Sequence, residues 1–76
     1  MARVTAMEKI EANRTSIHES VHATYKVFRE DGIKFLQIDT YGSADREAPG
    51  QPSQVIQFDE HFAKKLVSIL TKEFGN

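Results

Sequence analysis

The dipeptide Asp31-Gly32 is the feature that most restricts how this chain can fold. It separates two runs in which apolar and polar side chains alternate, "IHESVHATYKVF" and "IKFLQIDTY". A two-residue hairpin turn of type I′ needs a positive φ at both central positions, and Asp-Gly adopts that conformation readily. The pattern therefore predicts an antiparallel hairpin. Its expected pairs are Glu30 with Ile33, Phe28 with Phe35, and Lys26 with Gln37.

Further strands are expected on both sides of this hairpin. The alternation before the turn begins at Ile17 and exceeds the length of an ordinary strand, so we expect two strands there, with a break near residues 20–22. The next strand is expected from Ile33 to Tyr41. A short last strand, from Gln54 to Phe58, follows the polar loop "YGSADREAPGQPSQ", whose glycines and prolines favour turns.

A helix is expected after the last strand. Asp59 can act as its N-cap, Glu60 places negative charge at the positive end of the helix dipole, and Gly75 stands where a C-cap glycine is common. The apolar residues between them recur at helical spacing: Phe62, Leu66, Ile69, Leu70 and Phe74. The fold class is therefore α+β, with four strands followed by a C-terminal helix. A flexible arm over residues 1–14 precedes this domain, which spans residues 15–76.

Size and composition limit what such a domain can be. A chain of 76 residues without cysteine has no disulfide or thiolate metal site to support its small core, so oligomerisation is the remaining common route. No apolar stretch approaches the roughly 20 residues that cross a membrane, and no secretory signal is recognisable. We expect an intracellular protein of the cytoplasm or nucleoid. The net charge of −1 makes any nucleic-acid binding depend on where the charges lie.

The hairpin pairing divides the sheet into two faces. One face is apolar and is expected to pack on the helix; it carries Tyr25, Val27, Leu36 and Ile38. The other face mixes aromatic and polar side chains: Lys26, Phe28, Phe35, Gln37, Asp39 and Tyr41. Cross-strand aromatic pairing that stabilises a hairpin is one interpretation of this second face. A platform for unpaired bases, which stack on aromatic rings for roughly 1–3 kcal/mol each, is the other.

A long part of the chain resembles a known family. The stretch "KFLQIDTYGSADREAPGQPSQVIQFDEHFAKKLVSIL" is similar to the single-stranded-DNA-binding domain of the transcriptional coactivator positive cofactor four, especially to the small bacterial and phage members of that family. The resemblance covers about residues 15–74. Its most specific parts are a strand ending in "IDTYGS", the segment "PGQPSQ" before the last strand, and "IQFD" leading directly into the helix.

The resemblance implies a symmetric homodimer that binds single-stranded DNA. Each subunit would contribute a curved four-stranded antiparallel sheet and a C-terminal helix, with the sheets binding DNA largely independently of sequence. Transferred position by position, the expected DNA contacts are Lys26, Phe28, Lys34, Phe35, Gln37, Tyr41, Gln54 and Gln57, with Arg46 of the loop in reach of a phosphate. The implied partners are single-stranded DNA, a second copy of the chain, and replication or transcription proteins. Transcription, replication and recombination all use such DNA.

The chain also departs from the founding members of that family. Gly42 stands where they have a tryptophan, and Ser53 and Gln54 are neutral where they have basic residues. Glu30 and Asp39 are acidic at positions that are basic or aromatic in those members. These differences imply a weaker electrostatic contribution to DNA binding than in the founding members, while the stacking contribution of Phe28, Phe35 and Tyr41 is retained.

The helix has more apolar residues than one sheet face can cover. Val67 and Phe74 are left over beyond those that would cover the sheet, and together with Leu70 they form the expected dimer interface. A two-fold dimer would bury the same stripe of each helix against its own copy.

Catalysis is the remaining class of function. His18 and His22 are four residues apart, a spacing that aligns two ligands on a helix but not on a strand. The sequence has no Ser–His–Asp order, phosphate-binding glycine loop or paired-carboxylate motif. We therefore expect no enzyme, no metal site and no cofactor. Two alternatives to DNA binding stay open: a protein-interaction module that uses the aromatic face, and an RNA-binding protein.

Overall fold

A computed structural model shows one sheet and one helix, and it describes residues 1–42 and 50–75. The strands are β1 (Ala2–Val4), β2 (Ala23–Glu30), β3 (Ile33–Thr40) and β4 (Gln54–Asp59), and the helix α1 spans Glu60–Phe74. In the sheet the strands lie in the order β1-β4-β3-β2. The predicted order of four strands followed by a C-terminal helix is confirmed. Within these residues no helix is long and apolar enough to cross a membrane.

The β2–β3 hairpin forms as the sequence predicts. Asp31 and Gly32 both have a positive φ, 54° and 76°, as a type I′ turn requires. The register contains all three predicted pairs, Glu30 with Ile33, Phe28 with Phe35, and Lys26 with Gln37. Because a slip of one residue would move every side chain of a strand to the opposite face, this turn fixes the composition of both faces.

The sheet is mixed, which corrects the expectation of an entirely antiparallel sheet. β4 pairs antiparallel with β3, whereas β1 pairs parallel with β4 and places Arg3 opposite Gln57 and Val4 opposite Phe58. The expectation of a flexible arm over residues 1–14 is therefore wrong for residues 2–4, which form an edge strand. Val4 is half-buried, and its burial beside Phe58 supports this short strand.

The segment that follows β1 differs from the prediction as well. Residues 5–22, all of which the structure describes, form neither strand nor helix, so the strand expected from Ile17 is wrong. The place beside β4 is taken by β1, and the side chain of Ile17 is fully exposed. The first part of the segment is attached to the helix, since Met7 is half-buried and Lys9 Nζ lies 2.8 Å from Glu73 Oε2.

Both ends of α1 carry the caps that the sequence predicts. The Asp59 side chain accepts a hydrogen bond from the backbone N–H of Phe62 at 2.9 Å, which satisfies one of the exposed amides of the first turn. At the other end, the backbone N–H of Gly75 donates to the Thr71 carbonyl oxygen at 2.8 Å. A Cβ at Gly75 would overlap that carbonyl, so the close approach requires glycine.

The helix covers only part of the apolar sheet face, which we call the helix face. α1 packs mainly on β3 and β4, and its half-buried stripe is Phe62, Ala63, Leu66 and Ile69. Phe58, 6% exposed, is the one buried residue among those described. Tyr25 and Val27 of β2 remain 76% and 53% exposed, so the expectation that the whole apolar face of the hairpin packs on the helix is wrong for β2.

Candidate nucleic-acid interface

The sheet face opposite α1, which we call the aromatic face, collects most of the residues predicted to contact DNA. Directly paired residues in neighbouring strands point to the same side of a sheet, and alternate residues along a strand share a side. The observed register therefore places these side chains together: Lys26, Phe28, Phe35, Gln37 and Gln57, with Tyr41 just beyond the end of β3. The sequence-based grouping of the hairpin residues on this face is confirmed.

Phe28 and Phe35 form an aromatic platform near the hairpin turn. Their ring centroids are 5.4 Å apart and the ring planes are inclined by 18°, so the two rings are stacked. Both residues are half-buried. The platform is held at a fixed position on the sheet by the backbone register of two strands.

Tyr41 forms a second aromatic position at the opposite end of the same face. Its hydroxyl is hydrogen-bonded to that of Thr24, with 3.0 Å between the oxygens, and its backbone N–H donates to the His22 carbonyl oxygen at 3.0 Å. The His22 ring lies beside it, with centroids 5.8 Å apart. Tyr41 lies six positions after Phe35, which corresponds to roughly 20 Å along an extended strand.

A row of hydrogen-bonded polar side chains lies between the two aromatic positions. Gln57 Nε2 donates to Gln37 Oε1 at 2.8 Å, and Gln37 Nε2 donates to Asp39 Oδ1 at 2.9 Å. Both glutamines and the aspartate are half-buried. This chain of hydrogen bonds holds the amides in place on the sheet and leaves further amide N–H groups of both glutamines for a ligand.

The charges on the aromatic face are nearly balanced. Lys26 on β2 pairs with Gln37, and Arg3 on β1 pairs with Gln57. One cation therefore flanks the two paired glutamines on each side. Asp39 lies on the same face, and Glu30 lines a pocket beside the phenylalanine platform. The arrangement offers aromatic surface and amide donors without a net positive charge.

Two of the predicted DNA contacts lie elsewhere, and one cannot be placed. Lys34 follows the opposite alternation from Phe35 and lines a groove beside the helix with Val27 and Val67. Gln54 pairs with Thr40 and so points to the helix face. Arg46 lies outside the described residues.

Arg3 is the residue of this face that the sequence did not reveal. A strand of three residues shows no measurable period, and its pairing partner β4 lies more than fifty positions away in the chain. The alternation of Ala2, Arg3 and Val4 is the one signal that could have indicated it. His22 lies next to Tyr41 at the end of this face, whereas the sequence indicates it only as a candidate for a metal or acid–base group. Among the residues that the structure describes, no group of three His, Cys, Asp or Glu side chains could hold a metal ion.

The residues predicted for the dimer interface form an exposed apolar patch on the other side of the molecule. Val67, Leu70 and Phe74 are all exposed, Phe74 to 83%. Val67 and Val27 line the same groove, so this stripe of the helix continues onto the uncovered part of β2. We call these residues, together with Tyr25, the apolar patch.

Comparison with known proteins does not add a relative. No protein-family model, no curated protein and no solved structure matches the chain. The resemblance to the coactivator family therefore stays an expectation, and the function has to be inferred from the two surfaces described above.

Proposed function

We propose that this protein binds single-stranded DNA, largely independently of sequence, on the aromatic face of its sheet and as a homodimer. The observation that carries the proposal is the stacked pair of Phe28 and Phe35 on the same open face as Tyr41. Rings on a solvent-facing sheet surface, separated by amides that retain hydrogen-bond donors, suit a ligand with flat apolar faces and polar edges. Unpaired nucleobases have both properties.

Stacking supplies the main part of the affinity in this proposal. Each base stacked on an aromatic side chain contributes roughly 1–3 kcal/mol. The rings are already fixed by the hairpin register and, for Tyr41, by the hydrogen bond to Thr24, so binding immobilises few side chains. Since every base has an aromatic face, a platform of this kind tolerates any sequence.

The electrostatic part of the affinity is small in this proposal. Lys26 and Arg3 can each neutralise a phosphate, whereas Asp39 and Glu30 oppose phosphates on the same face. On single strands each neutralised phosphate contributes about −0.7 to the slope of log affinity against log salt concentration. We therefore expect a shallow slope, and phosphate contacts that weaken binding of all sequences alike when they are removed.

The exposed apolar patch supports the homodimer. On this patch the helix exposes Val67, Leu70 and Phe74. Phe58 alone among the described residues is buried. A second copy placed with two-fold symmetry would cover the patch of each subunit with that of the other, and the family resemblance points to the same arrangement.

The process that the protein would serve is transcription, replication or recombination inside the cell. A stacking platform without base-specific readout fits a protein that holds or protects unpaired strands while other proteins act on them.

Fluorescence polarisation with labelled oligonucleotides tests the proposal. We expect single-stranded DNA to bind more tightly than a duplex of the same sequence, because paired bases do not expose their faces. Lys26→Ala should weaken binding to all single-stranded sequences equally, whereas Lys72→Ala, which removes an exposed lysine from the last helical turn, should not. Preferred binding of RNA would favour the RNA-binding alternative. Failure to bind any of these nucleic acids would contradict the proposal and favour a protein partner.

A further inference from the structure

The edge strand β1 brings an arginine to the aromatic face from a distant part of the chain. Arg3 stands opposite Gln57 in the parallel β1–β4 pairing. Its side chain lines an open pocket of about 270 Å³ together with those of Gln57, Phe28, Phe35 and Glu30. One pocket thus combines an arginine, an amide and the two stacked rings.

Arg3 completes a row of polar side chains that crosses the whole sheet. The register aligns Lys26, Gln37, Gln57 and Arg3 side by side on β2, β3, β4 and β1. Neighbouring strands are about 4.8 Å apart, so the two terminal cations are separated by roughly 14 Å at the backbone. The phenylalanine platform borders this row on the side of the hairpin turn.

The chemistry of the pocket separates a site for an anion from a site for a base. The guanidinium of Arg3 presents planar donors that match phosphate oxygens, and the neighbouring Gln57 amide can add another donor. Glu30 lines the same pocket from β2, the opposite edge strand, so its carboxylate repels a phosphate at that end of the pocket. A nucleotide therefore fits with its phosphate on β1 and its base over Phe28 and Phe35.

We infer that Arg3 binds a backbone phosphate of a nucleotide whose base stacks on the Phe28–Phe35 platform. The bound DNA would then extend across all four β-strands of the sheet. This inference rests on the proposed function and adds the N-terminal strand to the binding surface. It also explains what β1 contributes to the domain besides one more edge strand.

Substitutions at Arg3 test this contact against a matched control. Arg3→Ala should bind single-stranded DNA roughly threefold to tenfold more weakly at low salt. The slope of log affinity against log salt should become less steep by about 0.7, the contribution of one phosphate on a single strand. Arg3→Lys should recover most of the affinity. Arg14→Ala removes an exposed arginine outside the sheet and should leave both affinity and slope unchanged.

The possible outcomes separate this inference from the proposed function. Binding by the wild-type protein with an unchanged Arg3→Ala variant would overturn the contact and leave the proposed function intact. Weaker binding with an unchanged salt slope would also overturn it, because Arg3 would then act only by holding β1 in place. An equal loss of affinity in Arg14→Ala would overturn it too, because the loss would then follow from the removal of one positive charge and not from a contact of Arg3. Absence of wild-type binding would instead overturn the proposed function itself.

Discussion

The rings of Phe28 and Phe35 stack across the β2–β3 hairpin with 5.4 Å between their centroids and 18° between their planes. The turn at Asp31 and Gly32 sets the register that brings them together. Such a pair can stabilise the hairpin, and it can also offer a surface on which bases stack. The two roles predict different consequences when one ring is removed.

Phe35→Leu keeps an apolar side chain but removes one ring of the platform. We expect the free energy of unfolding to fall by no more than about 1.5 kcal/mol, because the substitution keeps most of the buried apolar surface. The affinity for single-stranded DNA should fall by about 1–3 kcal/mol, the contribution of one stacked base. Urea denaturation and polarisation titration measure the two quantities. If the Phe35→Leu protein folds and binds single-stranded DNA as tightly as the wild type, the Phe28–Phe35 pair only stabilises the hairpin and does not stack on bases.

Asp39→Asn removes a negative charge from the aromatic face and keeps an oxygen that can accept the hydrogen bond from Gln37. We expect the affinity for single-stranded DNA to rise roughly twofold to fivefold at low salt and the gain to shrink as salt screens the phosphates. Glu19→Gln changes the net charge equally in an exposed segment outside the sheet and should have no such effect. An unchanged or lower affinity in Asp39→Asn would show that the DNA backbone does not pass this residue.

Val67→Asp places a carboxylate in the middle of the apolar patch. If a second copy covers this patch, the substitution should give monomers or insoluble chains, because burying an unpaired charge costs several kcal/mol. Ser68→Asp adds the same charge at the next, exposed position of the helix and should leave the dimer largely intact. Sedimentation equilibrium distinguishes these states.

The wild-type protein supplies an independent test of assembly. Its thermal unfolding midpoint should rise with protein concentration, since dissociation and unfolding of a homodimer are linked by mass action. A stable monomer at micromolar concentration, with a midpoint independent of concentration, would contradict the homodimer.

Asp59→Ala tests the cap that joins β4 to α1. Loss of the hydrogen bond from the Asp59 side chain to the Phe62 amide should reduce the free energy of unfolding by about 1 kcal/mol. Glu60→Ala should cost only a few tenths of a kcal/mol, because Glu60 acts through the helix dipole and one exposed ion pair with Lys64. Equal losses in the two variants, measured by urea denaturation, would be inconsistent with the cap.

The parts of the fold that depend on neighbouring residues could be predicted from the sequence. The turn at Asp31 and Gly32 and the caps of the helix are set by residues within a few positions of each other. β1 could not be predicted, because its stability comes from pairing with β4 at the far end of the chain. The alternation of β2 identified an apolar face, but it could not show that the helix covers β3 and β4 and leaves Tyr25 exposed.

The candidate site could be predicted to the extent that it follows from the hairpin register. Phe28, Phe35 and Gln37 share a face because alternate and paired positions do so in any regular hairpin. Lys34 was transferred from the family resemblance, although its position next to Phe35 already places it on the opposite face. Arg3 required the three-dimensional pairing of β1 with β4, because the alternation of three residues is too short to predict a strand.

The fluorescence of Tyr41 most directly tests whether bases stack on the aromatic face. The chain has two tyrosines and no tryptophan, so all tyrosine emission of a Tyr25→Phe variant comes from Tyr41. Tyr25 itself lies on the helix face, away from the proposed DNA site. We expect saturable quenching of that emission as single-stranded DNA is added, and none in Tyr41→Phe, which keeps only Tyr25. Constant Tyr41 emission while polarisation shows the DNA becoming fully bound would contradict stacking on this face.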